Sequence, residues 1–213
     1  MNATTILFDL DGTLLDTLDD LTDAVNRTLA RYGLPCRTRA EVRNFVGNGA
    51  KRLMELAANG AQPETFDAIL NDYKADYAAN CRVRTAPYPG VVELLETLAS
   101  RGYRIGIVSN KPDDAVKALQ REFFPGSVEI AVGETAGMQR KPAPDTLLAA
   151  MRQLSADAAK TVYIGDSEVD IETARSAGVP CISVSWGFRD RDVLLAHGAE
   201  CIVDSCAQLL SLL

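Results

Sequence analysis

The chain has 213 residues, 47% apolar and 24% charged, with a formal charge of −7. That composition is globular and excludes disorder, and the length permits one ordinary domain plus a smaller insert. The negative balance lacks the basic footprint on which nucleic-acid affinity rests, and no apolar run approaches the ~20 residues needed to cross a bilayer.

The N-terminus reaches strand-like sequence within a few residues, which leaves no room for a signal peptide, so a soluble cytoplasmic protein is expected. Cys36, Cys81, Cys181, Cys201 and Cys206 are an odd set without a Cys-x-x-Cys pair. They are expected to be reduced and mostly structural.

Taken in chain order, the first predicted element is a strand over Thr4–Asp9, apolar enough for the centre of a parallel sheet. It ends in Asp9-Leu10-Asp11-Gly12-Thr13. Ligands of open α/β sheets bind beyond the carboxyl ends of such strands. Asp9 and Asp11, two residues apart, would leave the sheet on the same side, with Gly12 allowing a sharp turn. Two acids so close repel, which calls for a divalent metal, a shared proton, or both.

From Asp16 to about Arg84 the pattern is helical, through Leu18–Leu29, Ala50–Ala58 and Phe66–Tyr77, with a capping box at Thr38-Arg39-Ala40-Glu41. This reads as an inserted helical domain over residues 16–84. The remaining core, residues 1–15 and 85–213, resumes after Ala86-Pro87-Tyr88-Pro89. Strands are predicted at Tyr103–Val108, Val128–Val132, Thr161–Ile164 and Cys181–Val184, with a short sixth at Cys201–Val203. They alternate with helices over Val91–Ser100, Asp145–Leu154 and Ser167 to Gly178, the α/β pattern of a three-layer, Rossmann-like parallel sheet. The single histidine, His197 in Ala196-His197-Gly198, reads as the structural end of a helix. General acid-base work would then fall to a carboxylate, with Asp11 best placed.

Polar clusters follow three of the later strand-like runs: Ser109-Asn110-Lys111-Pro112, Arg140-Lys141-Pro142-Ala143-Pro144, and Gly165-Asp166 with Asp170. With Asp9-Leu10-Asp11-Gly12-Thr13 and the following Leu14-Leu15-Asp16-Thr17, they resemble the four motifs of the haloacid dehalogenase-like phosphohydrolases, most closely the phosphoglycolate phosphatase group. The resemblance spans nearly the whole chain. It implies strand order 5-4-1-2-3, an all-helical cap, and Mg²⁺-dependent hydrolysis of a small phosphorylated metabolite through an aspartyl-phosphate.

In that scheme Asp9 is the nucleophile and Asp11 the acid and base. Ser109 and Asn110 donate to the phosphoryl oxygens, and Lys141 neutralises phosphate and Asp9. Asp9 and Asp166 are side-chain metal ligands, Asp11 contributes its backbone carbonyl, and Asp170 supports the site. Thr13, Asn48, Gly49 and Arg52 are expected to contact substrate. The Gly47-Asn48-Gly49 turn could receive a carboxylate on backbone N–H groups, with Arg43, Lys51 or Arg52 nearby, or Asn48 could simply cap the helix.

Asp11 argues against a dehalogenase and a phosphonatase. A pyrophosphatase, a nucleotidase, a sugar-phosphate phosphatase or phosphomutase, and a catalytically silent binding protein remain as alternatives. Whether the chain is a monomer or a homodimer stays open.

Overall fold

The computed structural model describes residues 3–213. The chain divides into two compact units, Met1–Leu15 with Pro87–Leu213, and Asp16–Ala86. After the first strand, β1 (Thr5–Phe8), the chain passes through β2 (Leu15–Asp16) into the second unit and returns through β3 (Ala86–Pro87). The strands β4 (Arg104–Pro112), β5 (Ile130–Glu134), β6 (Thr161–Gly165), β7 (Cys181–Val184) and β8 (Ile202–Val203) follow.

Six of these strands form one sheet in the order β5-β4-β1-β6-β7-β8, and every recorded pairing between them is parallel. With the sheet strands counted in chain order, this is the expected 5-4-1-2-3 arrangement, extended by the short strand β8 at one edge. β1 lies at the middle because all four of its residues are buried, the signature of a strand covered on both faces. Its register pairs Phe8 with Ile107 of β4 and with Ile164 of β6. The carboxyl ends of three adjacent strands therefore open on one edge of the sheet, just beyond Phe8, Val108 and Gly165.

Alternation along β1 places Ile6 and Phe8 on one face and Leu7 on the other. Ile6 and Phe8 join Ile105, Ile107, Val162 and Ile164 in a core with Val91, Leu94, Leu95 and Leu98. Leu7 joins Val108 and Tyr163 against Leu147, Ala150, Met151 and Leu154. Helices thus cover both faces, giving three layers.

The unit Asp16–Ala86 is helical: α1 (Leu18–Arg31), α2 (Arg39–Phe45), α3 (Gly49–Ala57) and α4 (Phe66–Asn80), with a single 3₁₀ turn at Pro63–Thr65 before α4. The expected capping box opens α2, with Thr38 N–H donating to Glu41 Oε2 at 2.8 Å and Glu41 N–H to Thr38 Oγ1 at 3.2 Å. The Thr38 N–H and the Thr38 hydroxyl, which donates to Glu41 Oε2 at 2.7 Å, hold the Glu41 carboxyl below the usual range. Two buried acids tie this unit together. Asp76 of α4 accepts from Arg27 at 2.7 Å and Arg31 at 3.0 Å, both on α1. Asp20 accepts from the Thr85 N–H at 2.9 Å, the Thr85 hydroxyl at 2.8 Å and the Arg84 N–H at 3.0 Å.

In the sheet unit the helices are α5 (Val91–Ser100), α6 (Asp113–Phe123), α7 (Asp145–Gln153), α8 (Glu168–Ala177), α9 (Arg191–Ala196) and α10 (Cys206–Leu212). Gly178 closes α8 at φ 71°, the left-handed geometry that glycine adopts without penalty. His197 caps α9, with Nδ1 2.8 Å from the Val193 carbonyl, so it is structural. α6 and α10 were not expected from sequence. A second difference lies in β4, which does not end at Val108 but runs on to Pro112 with a register shift between those residues. The Ser109-Asn110-Lys111 segment is therefore an irregular strand extension and not a free turn. No described helix is long and apolar enough to cross a membrane.

Candidate active site

Asp9 leaves the end of β1, Ser109 to Lys111 extend β4, and Asp166 follows β6 directly, so adjacent strands deliver these groups to one edge of the sheet. Lys141 arrives from the segment before α7, and Asp170 from the first turn of α8. The loop after Asp9 is tight because the Leu10 carbonyl accepts from the N–H groups of Leu14 and Leu15, both at 3.0 Å, while Gly12 takes φ 87°.

Lys141 organises the centre. Its Nζ lies 2.7 Å from Asp9 Oδ1, 2.8 Å from Asp170 Oδ1 and 3.0 Å from the Tyr163 hydroxyl, which uses its three donors. The lysine is 3% exposed. Burial alone would lower its pKa, but the charges of Asp170 and Asp9 outweigh that and hold it above the ordinary range. Among the described residues Asp9 Oδ2 has no recorded hydrogen bond, so one oxygen of Asp9 is fixed by Lys141 and the other is not.

Asp9, Asp166 and Asp170 each offer a carboxylate oxygen within 4.8 Å of the others, and all three are buried. Three carboxylates against the one ammonium of Lys141 leave two negative charges when all are ionised. Burial, followed by the opposing pull of Lys141 and repulsion from Asp170 and Asp166, pushes Asp9 well above the usual carboxylate range. Burial and then Asp170 push Asp166 up to about 7. Hard oxygen donors with an excess of two charges fit a divalent cation such as Mg²⁺. The Asp11 carboxylate is not part of this cluster, so as a metal ligand only its backbone carbonyl is left.

Asp11 has a separate partner. Its Oδ1 lies 2.8 Å from Lys111 Nζ, and the lysine side chain is 4% exposed. Sequence reasoning passed over Lys111, as it did Tyr163. The signal for Lys111 was present as a basic residue inside a motif, and the signal for Tyr163 as a polar-tipped ring two residues before Gly165.

The other expected site residues are placed as follows. Asn110 commits its amide to Lys141, donating from Nδ2 to the Lys141 carbonyl at 3.0 Å and accepting the Lys141 N–H at 2.8 Å. Its side chain thereby fixes the backbone that carries the lysine. Ser109 Oγ accepts the Lys111 N–H at 3.2 Å. Asp170 Oδ2 accepts from Ser167 Oγ at 2.6 Å, which fixes the first turn of α8. Thr13 is buried, and its hydroxyl donates to Asp166 Oδ1 at 3.3 Å, so its side chain braces the acidic cluster. In the helical unit Asn48 precedes α3 without capping it through its side chain, Gly49 opens the helix at φ 78°, and Arg52 pairs with Glu55 at 3.2 Å.

Fold and site together are those of an α/β protein with a parallel sheet and a buried acidic centre around an aspartate at the end of its central strand. The match is more specific than that class: the family model of the haloacid dehalogenase-like hydrolases covers residues 6–184, and the chain belongs to that family. It is 36% identical to a phosphoglycolate phosphatase of Rhodospirillum rubrum, over 96% of this chain and 88% of the relative. It is equally 36% identical to a plasmid-borne phosphoglycolate phosphatase of Cupriavidus necator, over 99% and 93%. A crystal structure from Lactobacillus delbrueckii subsp. bulgaricus, provisionally assigned as a phosphoglycolate phosphatase, superposes with a TM-score of 0.94 at 36% identity, covering 100% of this chain and 98% of the other.

Proposed function

We propose that this protein is a phosphomonoester hydrolase of phosphoglycolate phosphatase type, acting through an aspartyl-phosphate on Asp9. The observation that carries the reading is the asymmetric hold on Asp9: Lys141 fixes Oδ1 at 2.7 Å, and Oδ2 has no recorded partner among the described residues. Asp9 attacks phosphorus in line, the bond to the leaving oxygen breaks, and Asp11 gives that oxygen its proton. Asp11, now a carboxylate beside the Lys111 ammonium, takes a proton from the water that cleaves the acyl phosphate. Lys141, through its ammonium, and Ser109, through its hydroxyl, offset charge on the phosphoryl oxygens, while Asn110 and Tyr163 keep Lys141 in place.

A Mg²⁺ ion held by Asp9, Asp166 and the Asp11 carbonyl would supply charge neutralisation for the two anions that must meet. Asp170, whose oxygens serve Lys141, Tyr163 and Ser167, supports this set. We assign substrate selection to the helical unit as a cap, with Asn48, Gly49 and Arg52 as candidates. The five free cysteines suit a cytoplasmic setting.

The test is a substrate panel of 2-phosphoglycolate, pyrophosphate, nucleoside monophosphates and sugar phosphates with Mg²⁺, ranked by kcat/KM. The reading expects 2-phosphoglycolate at the head. A marked preference for another member would overturn the substrate, and absence of turnover on every member would overturn the enzyme.

A further inference from the structure

We propose that the turn Ser185–Phe188 after β7 is a clamp that sets Asp166 in position to bind metal, with Gly187 as its positioning residue. The inference rests on the metal reading above and concerns residues that no motif includes.

The turn reaches one oxygen of Asp166 directly and the other through Thr13. The Phe188 N–H donates to Oδ2 at 2.6 Å. Trp186 Nε1 donates to the Thr13 carbonyl at 3.0 Å, and the Thr13 hydroxyl in turn donates to Oδ1 at 3.3 Å. The approach is close enough to exclude a side chain at Gly187. A methyl there would meet Asp166 Oδ2 at 2.5 Å and press on the Asp166 side chain and the Gly12 carbonyl oxygen. Gly187 is not among the glycines with positive φ, so it is the close approach, and not a left-handed backbone, that excludes a side chain there.

Both ends of the turn are anchored. Ser185 N–H donates to the Val203 carbonyl at 3.0 Å, and Arg189 forks onto Glu168 of α8 at 2.7 and 3.1 Å. A carboxylate repelled by Asp9 and Asp170 would rotate away if it were loosely held, and this anchoring resists that rotation. Partners that orient a ligating carboxylate matter for affinity, since losing one typically costs about 10–100-fold in metal binding.

Calorimetric titration of the full chain with Mg²⁺ tests the clamp, alongside the melting temperature of the metal-free protein and the Mg²⁺ dependence of turnover. Gly187→Ala is expected to weaken Mg²⁺ binding by about 10–100-fold, with turnover partly recovered at high Mg²⁺. Trp186→Phe, which removes the bond to Thr13, is expected to weaken it by about fivefold. A merely structural turn would lower the melting temperature and leave the dissociation constant alone, and that result overturns the proposal. If Gly187→Ala does not fold, Trp186→Phe decides, and an unchanged dissociation constant there overturns it equally. Failure of the wild type itself to bind Mg²⁺ would overturn the metal reading and, with it, this inference.

Discussion

The molecule buries carboxylates in two places and treats them differently. In the helical unit Asp76 meets two guanidinium groups, and Asp20 accepts three hydrogen bonds from the returning chain. In the sheet unit Asp9, Asp166 and Asp170 cluster together, and the single ammonium of Lys141 pairs with Asp9 and Asp170 alone. Compensated charge serves the fold, because each buried acid finds donors that replace water. Uncompensated charge opposes the fold and marks a place where a ligand completes the balance. Surplus charge, and not burial, therefore separates the two kinds of cluster.

The same Asp→Asn substitution should break this comparison open. Asp9→Asn is expected to lower kcat by at least about 10⁴-fold on 2-phosphoglycolate, as loss of a nucleophile does. It should leave the metal-free melting temperature unchanged or raise it, because one repelling charge has gone. Asp76→Asn should destabilise by about 1–3 kcal/mol, since it removes the charge that two half-exposed arginines hold at the buried end of α4. Equal destabilisation by both substitutions in thermal melts would erase the distinction.

A pH series sharpens it. Asp9 and Asp166 have raised pKa values in the folded state, Asp166 at about 7. The folded protein therefore binds more protons than the unfolded chain between the ordinary carboxylate range and about pH 7. Stability of the metal-free protein should fall as pH rises through that window, by up to about 1.4 kcal/mol per pH unit for each group. Mg²⁺ should accordingly raise the melting temperature more at pH 8 than at pH 5, and an equal rise at both would contradict the assignment. The smallest effect is expected at Lys111→Gln. Loss of its charge-assisted bond to Asp11, worth roughly 1.5 kcal/mol, should lower kcat/KM about tenfold. Unchanged kcat/KM would remove Lys111 from the account.

Much of this architecture was legible before any coordinates. The apolar run before Asp9 foretells the central strand, the Thr38 and Glu41 spacing foretells the capping box, and Gly178 foretells the end of α8. These are local signals, carried by a few consecutive residues. Long-range partners leave no such trace. Nothing near Lys111 says that it faces Asp11, a hundred residues earlier, and nothing in Trp186-Gly187-Phe188 says that it encloses Asp166. Thr13 is a like case: its place in a motif does not say that its hydroxyl meets Asp166, which comes from just beyond another strand. The continuation of β4 through Ser109 was hidden because Asn-Lys-Pro reads as a turn, although pairing with β5 carries the strand to Pro112.

The central claim is that Asp9 carries the phosphoryl group. Trapping the enzyme with beryllium fluoride and Mg²⁺, followed by determination of the crystal structure, tests it most directly. The account predicts a beryllium fluoride adduct on Asp9 Oδ2, with Lys141 on the other oxygen and no adduct in Asp9→Asn. An adduct on any other side chain would contradict it.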